Sequence, residues 1–227
     1  MKLSIAYSPC PNDTFIFDAL AHGKIDTEGL EFEIHHDDVE SLNNHALDDT
    51  YDITKLSYHA YAYVSGSYQL LTAGSALGRG CGPLMISKDE IPRSKIEFCL
   101  IGIPGKLTTA NFLMTLAFPE AATKKEMVFN EIEQALLNDA IDIGLIIHEN
   151  RFTYIHKGLK KIIDLGEWWE KKYQLPIPLG GIVTRRDFEP ALQLKINRVV
   201  RRSVEFALAN PAQTMEYVRD HAQEMDE

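Results

Sequence analysis

Nowhere in this chain do about 18 apolar residues run together, the length a membrane-spanning helix needs. The opening MKLSIAYSPCP has no secretory h-region and goes straight into a strand-like run, so neither export nor anchoring is expected. Cysteine is scarce. Cys10, Cys81 and Cys99 are an odd, scattered set with no CxxC. They read as reduced thiols of a cytosolic protein, with no disulfide framework and no metal site. Basic charge is also in short supply: 23 Lys and Arg stand against 33 Asp and Glu, a formal net charge of -10. Nonspecific nucleic-acid binding needs cations to neutralise phosphate, so that class is excluded. The acid is spread along the chain and reads as a solvated surface.

What is present is ordinary globular composition, 45% apolar and 25% charged over 227 residues, enough for one large domain or two small ones. KLSIAYS is β-like, and NDTFIFDALAHGKI carries apolar residues at helical spacing up to a Gly23 stop. GLEFEIHHD alternates like a strand, DVESLNNHALDDTY is helical, and DITKLSYHAYAYV starts as a short strand. YQLLTAGSALGRGCGPLMIS reads as two strands around a glycine-rich loop. A second series follows: strand KIEFCLIGIPG, helix TTANFLMTLAF, helix VFNEIEQALLND and strand AIDIGLIIHE. KKIIDLGEWWEKKY turns from strand to helix, PIPLGGIVTRRD is a strand, and two helices broken at Asn210-Pro211 close the chain. This alternation predicts an α/β protein with mostly parallel strands.

The chain also rhymes with itself. IAYSPCPNDTFIFDAL and IGIPGKLTTANFLMTL are both strand, proline-containing turn, polar cap and apolar helix. NNHALDDTYDITKLSYHA answers IEQALLNDAIDIGLIIHEN, pairing Asp52 with Asp142 and Tyr58 with His148. Two similarly built lobes are expected, 1–87 plus 179–227 and 88–178, linked by at least two crossings. Ligands of parallel α/β sheets bind beyond the carboxyl ends of the strands. Both rhymes put polar residues there, so the ligand cleft is expected between the lobes.

Several of these residues could carry chemistry. Asn12 or Asp13 is the natural helix cap after Pro11. The alternative is that the SPCPNDTF turn holds a ligand, since one proline makes a corner while two fix the shape of the whole loop. Thr108 and Thr109 open another helix. They are either a cap or a carboxylate site, with free N–H groups, the helix dipole and two hydroxyls. GKLTT lacks the GxxxxGK[ST] spacing, so no nucleotide phosphate is read into it. Lys55 and Ser57 close DITKLS. TKLSY is not the G-x-S-x-G elbow of a serine nucleophile, so hydrogen bonding is their expected role. The loop Gly74 to Pro83 lacks the strand-to-helix setting of a dinucleotide motif and suits a hinge or pocket wall. His148 ends an apolar strand as either a structural residue or a base; Glu149, Asn150, Arg151 and Tyr154 follow and could orient its ring or meet an anion. Trp168, Trp169 and IPLGG fit either a ligand pocket or the core.

Together SPCPNDTFIFDAL, DVESLNNHAL, TKLSYHAYAYV, GSALGRGCGPL, TTANFL, GLIIHENRFTY, LGEWWE, LPIPLGGIV and VRRSVEFALANP resemble the 1,4-dihydroxy-6-naphthoate synthases, the MqnD family of the futalosine route to menaquinone. The resemblance covers essentially the whole chain. It implies a two-lobed type II periplasmic-binding-protein-like fold used as a cytoplasmic lyase. The implied substrate is a small molecule, cyclic de-hypoxanthinylated futalosine, cleaved at a carbon–carbon bond without a cofactor. By motif match the general base falls on His148. Substrate contacts fall on Lys55, Leu56 and Ser57 and on Thr108, Thr109 and Ala110, and Asp13 would face the cleft. Members of the family continue some tens of residues past HAQEMDE. The sequence leaves the oligomeric state open.

Two other functions compete. A chorismate dehydratase of the same pathway predicts neither SPCPNDTF nor LIIHE. A non-catalytic binding module of the same fold is expected to carry a signal peptide or a DNA-binding domain.

Overall fold

The computed structural model describes residues 1–147 and 150–221. In chain order it begins β1 (Lys2–Tyr7), α1 (Pro11–Ala21), β2 (Glu31–His36), α2 (Val39–Leu47), β3 (Ile53–Ser57), α3 (Tyr58–Val64) and β4 (Tyr68–Leu70). There follow β5 (Ala76–Gly78), β6 (Leu84–Ser87), β7 (Ile101–Ile103), α4 (Thr109–Ala117), β8 (Lys124–Glu126), α5 (Ile132–Leu137) and β9 (Ile143–Ile146). The last are α6 (Asn150–Thr153), β10 (Lys160–Asp164), α7 (Leu165–Tyr173), β11 (Ile177–Arg185), α8 (Pro190–Ala209) and α9 (Pro211–His221). Among the described residues no helix is long and apolar enough to cross a membrane.

Contacts divide the chain into two units: Met1–Ala76 with the chain from Gly180 onward, and Leu77–Leu179. The chain passes between them at Ala76/Leu77 and at Leu179/Gly180. The sequence placed the first boundary at 87/88. In the structure β6 is hydrogen-bonded between β10 and β9, which groups residues 77–87 with the second unit.

The first unit holds a sheet in the order β2-β1-β3-β11-β4. β1 runs parallel to both its neighbours, whereas β11 runs against β3 and β4. Leu3, Ile5 and Tyr7 alternate onto one face of β1, as the two-residue strand period requires. There they meet Phe17 and Leu20 of α1 and Ile196, Val199 and Val200 of α8. On the opposite face Leu56 and Val183 pack with Ala46, Val64 and Tyr68, beneath α2 and α3. A sheet covered on both faces explains why β3 is buried throughout and β1 from Ile5 to Tyr7.

The second unit has the order β10-β6-β9-β7-β8. β7 is parallel to β8 and β9, and β6 is antiparallel to β9 and β10. Met85, Ile101, Ile103, Leu113, Met114, Leu145 and Leu165 form one core, with Trp168 and Trp169 packed against it. Leu84, Ile86, Ile132, Leu136, Ile146 and Tyr154 form another. Both sheets are therefore mixed rather than mostly parallel. KIEFCLIGIPG also divides differently from the expected strand: Arg93–Phe98 is a 3-10 helix and only Ile101–Ile103 is extended. The strand Lys124–Glu126 has no apolar alternation to announce it.

The second rhyme has a physical basis. α2 and α5 end on left-handed aspartates, Asp49 at φ 50° and Asp139 at φ 56°. The Asp49 and Asp139 N–H groups donate to Ala46 and Leu136 carbonyls at 3.3 and 3.1 Å. Thr50 and Ala140 N–H groups then donate to His45 and Ala135 carbonyls at 3.0 and 2.9 Å. Three residues past each left-handed turn, an aspartate staples the neighbouring parallel strand. Asp52 Oδ2 accepts from the Ser4 N–H at 2.8 Å, and Asp142 Oδ2 from the Leu100 N–H at 2.7 Å. Asp52 also accepts from Ser4 Oγ and returns its own N–H to that hydroxyl.

Asp52→Ala is expected to cost about 1–3 kcal/mol, because it leaves a part-buried donor without its acceptor. Asp142→Ala should cost less, since the Leu100 bond is exposed. Urea midpoints measure both; equal midpoints for Asp52→Ala and the parent would refute the staple.

Candidate functional site

Parallel strands end at the same edge of a sheet, so the loop after β1 and the end of β3 lie side by side in the first unit. The loop runs Ser8-Pro9-Cys10-Pro11, and its prolines fix φ at two of four positions. Pro11 opens α1 as its first residue, a position where the missing N–H costs nothing. Cys10 is therefore the cap residue, with no side-chain cap bond, and Asp13 lies inside the first turn. This corrects the expected capping by Asn12 or Asp13.

Freed from capping, the Asp13 carboxylate turns to its neighbours. Its Oδ2 accepts from Ser8 Oγ at 2.8 Å and from the Ser8 N–H at 3.4 Å. Its Oδ1 accepts from Lys55 Nζ in an ion pair whose side chains are 7% and 11% exposed. Lys55 reaches α1 because residues 53, 55 and 57 share the face of β3 that α1 covers. Gly180 of β11 lies opposite Ser57, close against the β3 main chain. A Cβ there would lie 2.7 Å from the Leu56 carbonyl oxygen and 3.5 Å from Lys55 Cε.

Ser57 ends the strand as the cap of α3, its Oγ accepting from the Ala60 N–H at 3.1 Å. Its own N–H donates to Oδ1 of the fully buried Asn43 at 2.9 Å. Leu56 points into the opposite core, so only its main chain could meet a ligand. Beside the loop, burial and the 2.7 Å hydrogen bond with Tyr217 push the Tyr7 phenol far above its ordinary value. That phenol stays protonated and supplies no base near neutral pH.

The second unit places Thr108, Thr109 and Ala110 at the start of α4, all three buried. Thr108 is the cap: its Oγ1 accepts from the Asn111 N–H at 3.2 Å and donates to the Gly105 carbonyl at 2.8 Å. Thr109 Oγ1 donates to the carbonyls of Leu179 at 2.9 Å and Pro178 at 3.1 Å. Both hydroxyl protons are therefore engaged with main chain, which corrects the expectation of two hydroxyl donors for an acid. What the helix start still offers is its dipole and the first-turn N–H groups of Thr109 and Ala110, which have no intrahelical acceptor. The loop is braced from below. Asn111 Nδ2 holds the Lys106 carbonyl at 2.7 Å, and Lys124 Nζ holds Asn111 Oδ1 at 2.9 Å. Burial moves the Lys124 ammonium below its ordinary value.

His148 and Glu149, the expected base and its neighbour, lie outside the described residues. Just after them Asn150 is buried and donates to Glu133 Oε2 at 2.7 Å, and Lys157 pairs with the same carboxylate. Arg151 pairs with Asp164 at 2.7 Å and donates to the Gly80 and Gly82 carbonyls, so its charge is engaged rather than awaiting an anion. The glycine-rich loop is thereby fastened, with the Gly80 N–H also donating to Glu170 at 2.7 Å. Tyr154 belongs to a core. Sequence reasoning missed Asn43 and Glu133, polar residues inside helical stretches that only burial distinguishes, and Lys124, whose strand has no apolar alternation to mark it.

Thr108→Val should lower stability by about 1 kcal/mol through loss of the cap, while Thr108→Ser retains it. Denaturation midpoints test this, and a valine variant as stable as the parent would remove the capping role.

The comparisons with known proteins agree with this architecture. Residues 3–227 match the family described as menaquinone biosynthesis. A protein of Thermus thermophilus named 1,4-dihydroxy-6-naphtoate synthase is 44% identical over 225 residues, 99% of this chain and 81% of that protein. One of the same name from Streptomyces coelicolor is 40% identical over 229 residues, 99% and 80% of the two chains. The solved structure of protein AF1704 from Archaeoglobus fulgidus superposes with a TM-score of 0.91 at 40% identity, covering 99% of this chain and 83% of that one. Solved ligand-binding proteins at 14% and 9% identity share the fold alone, which is that of the periplasmic binding proteins. The chain belongs to the menaquinone-biosynthesis family.

Proposed function

We propose that this protein is a cytoplasmic 1,4-dihydroxy-6-naphthoate synthase that converts cyclic de-hypoxanthinylated futalosine to the naphthoate by carbon–carbon cleavage. The observation that carries the reading is the 44% identity, over nearly the whole chain, to a relative of that name. His148 removes the proton of the hydroxyl beside the scissile bond. As that hydroxyl becomes a carbonyl, the carbon–carbon bond breaks and its electrons flow into the carbonyl-bearing ring. The ring becomes aromatic, and a sugar-derived fragment leaves. No cofactor is needed, because the ring itself accepts the electron pair. The α4 start, Thr108 to Ala110, holds the carboxylate through main-chain N–H groups, and Lys55 to Ser57 hold other oxygens of the substrate.

Histidine suits this task because its ordinary pKa lies near working pH. General-base help is typically worth about 10²–10⁴-fold. His148→Asn should lower kcat by that order while the substrate still binds. The parent rate should rise with pH across the imidazole range, since only the neutral ring accepts a proton. Product formation from cyclic de-hypoxanthinylated futalosine, followed chromatographically, reads both. Near-normal turnover by the variant would sink the base assignment; binding without turnover by the parent would favour a binding module.

The carboxylate reading has its own test. Hydrogen bonds to a charged group are worth about 1.5–3 kcal/mol each. The amide of the substrate should therefore bind at least about tenfold more weakly than the acid. Equal affinities in calorimetry would argue against the α4 start as the acid's partner.

A further inference from the structure

Asp13 was expected to touch the ligand, and its surroundings suggest a different task. Each of its carboxylate oxygens already has a partner inside the protein, Ser8 on one side and Lys55 on the other. The residue is only 5% exposed. Lys55 is differently placed. An ammonium carries three donors. One goes to Asp13, and the other two have no acceptor among the described residues. Buried donors are seldom left unmet. A buried ammonium held at one corner, with two donors to spare, is built to receive an oxygen from outside the chain.

We propose that Ser8 and Asp13 are positioning residues for Lys55. They hold its ammonium fixed at the carboxyl edge of β1 and β3, so that its remaining N–H groups meet a neutral oxygen, hydroxyl or carbonyl, of the substrate. The inference rests on the reading of Lys55 as a substrate contact. Two features of the chain serve the arrangement. The two prolines fix the path from Ser8 to Asp13. Starting α1 at Pro11 puts Asp13 in its third helical position rather than at the cap, which frees the carboxylate. Pairing matters for the cation as much as aim, because a lone ammonium in this setting is costly to bury. With its charge balanced by Asp13, Lys55 offers donors without net positive charge. That matches a hydroxyl or carbonyl rather than a carboxylate.

The test is a double-mutant cycle with cyclic de-hypoxanthinylated futalosine as the probe. Kd is read by calorimetry, and KM and kcat by turnover, for the parent, Asp13→Asn, Lys55→Met and the double variant. Asp13→Asn is expected to weaken binding about tenfold or more. It should also show the same division of the loss between KM and kcat as Lys55→Met. In the Lys55→Met background, Asp13→Asn should cost no further affinity, because its target is gone. A merely structural role would weaken binding by the same factor in both backgrounds, and that result overturns the proposal. If Asp13→Asn fails to fold, Ser8→Ala takes its place: a several-fold loss with Lys55 present and none in its absence is expected, and equal losses overturn it. Normal binding by Lys55→Met would overturn the reading of Lys55 together with this inference. Weak binding by Lys55→Met with normal binding by Asp13→Asn would overturn this inference alone.

Discussion

The parallel pairing of β1 with β3 is the constraint on which the first unit's chemistry depends. Parallel neighbours finish at one edge, so whatever follows β1 in sequence comes to rest beside whatever ends β3. Ser8 and Lys55 are distant in the chain, yet one carboxylate joins them. At the opposite edge Asp52 fastens the start of β3 to Ser4 of β1 and resists a register slip. A slip by one residue would turn Lys55 to the Leu56 side of the sheet and into a hydrophobic core. The register and the ion pair therefore support each other: the pair can be buried because the strand is fixed, and the strand carries a lysine because the pair is available.

The second unit repeats the device with different chemistry. β7 and β9 are parallel, Asp142 holds the start of the pair, and the loop after β7 leads into α4. Here the helix start is capped conventionally by Thr108, and Thr109 is tied to the main chain. The side chains build a rigid frame and leave main-chain N–H groups as the polar surface. In the first unit the opposite holds: α1 has no side-chain cap, and the polar surface is a lysine steadied by an aspartate. One element pattern thus yields a lysine paired with an aspartate in one unit and a threonine-capped helix start in the other.

Local order along the chain explains which readings succeeded. The long helices and the apolar strands are set by neighbours within a few residues, and the sequence shows them; the left-handed turns at Asp49 and Asp139 underlie its second rhyme. Arg93–Phe98 became a 3-10 helix, and Lys124–Glu126 a strand, because partners elsewhere in the unit decided their conformation. Periodicity carries no trace of such partners. The α1 start was misjudged by a small margin with a large consequence. Pro11 took the first helical position, and Asp13 changed from a cap to the holder of Lys55.

By itself, then, the sequence determined that this is an α/β chain of two similar halves. Its motifs tied it to one family, since strand, proline turn and helix start are short-range features that a linear text preserves. Tertiary structure alone decided that Ser8, Asp13 and Lys55 form one group, that the hydroxyls of Thr108 and Thr109 face carbonyls, and that Leu56 belongs to a core. The physical reason is burial. A carboxylate, a hydroxyl or an ammonium reads the same in sequence whether water or another side chain answers it, and only the packed sheet removes the water.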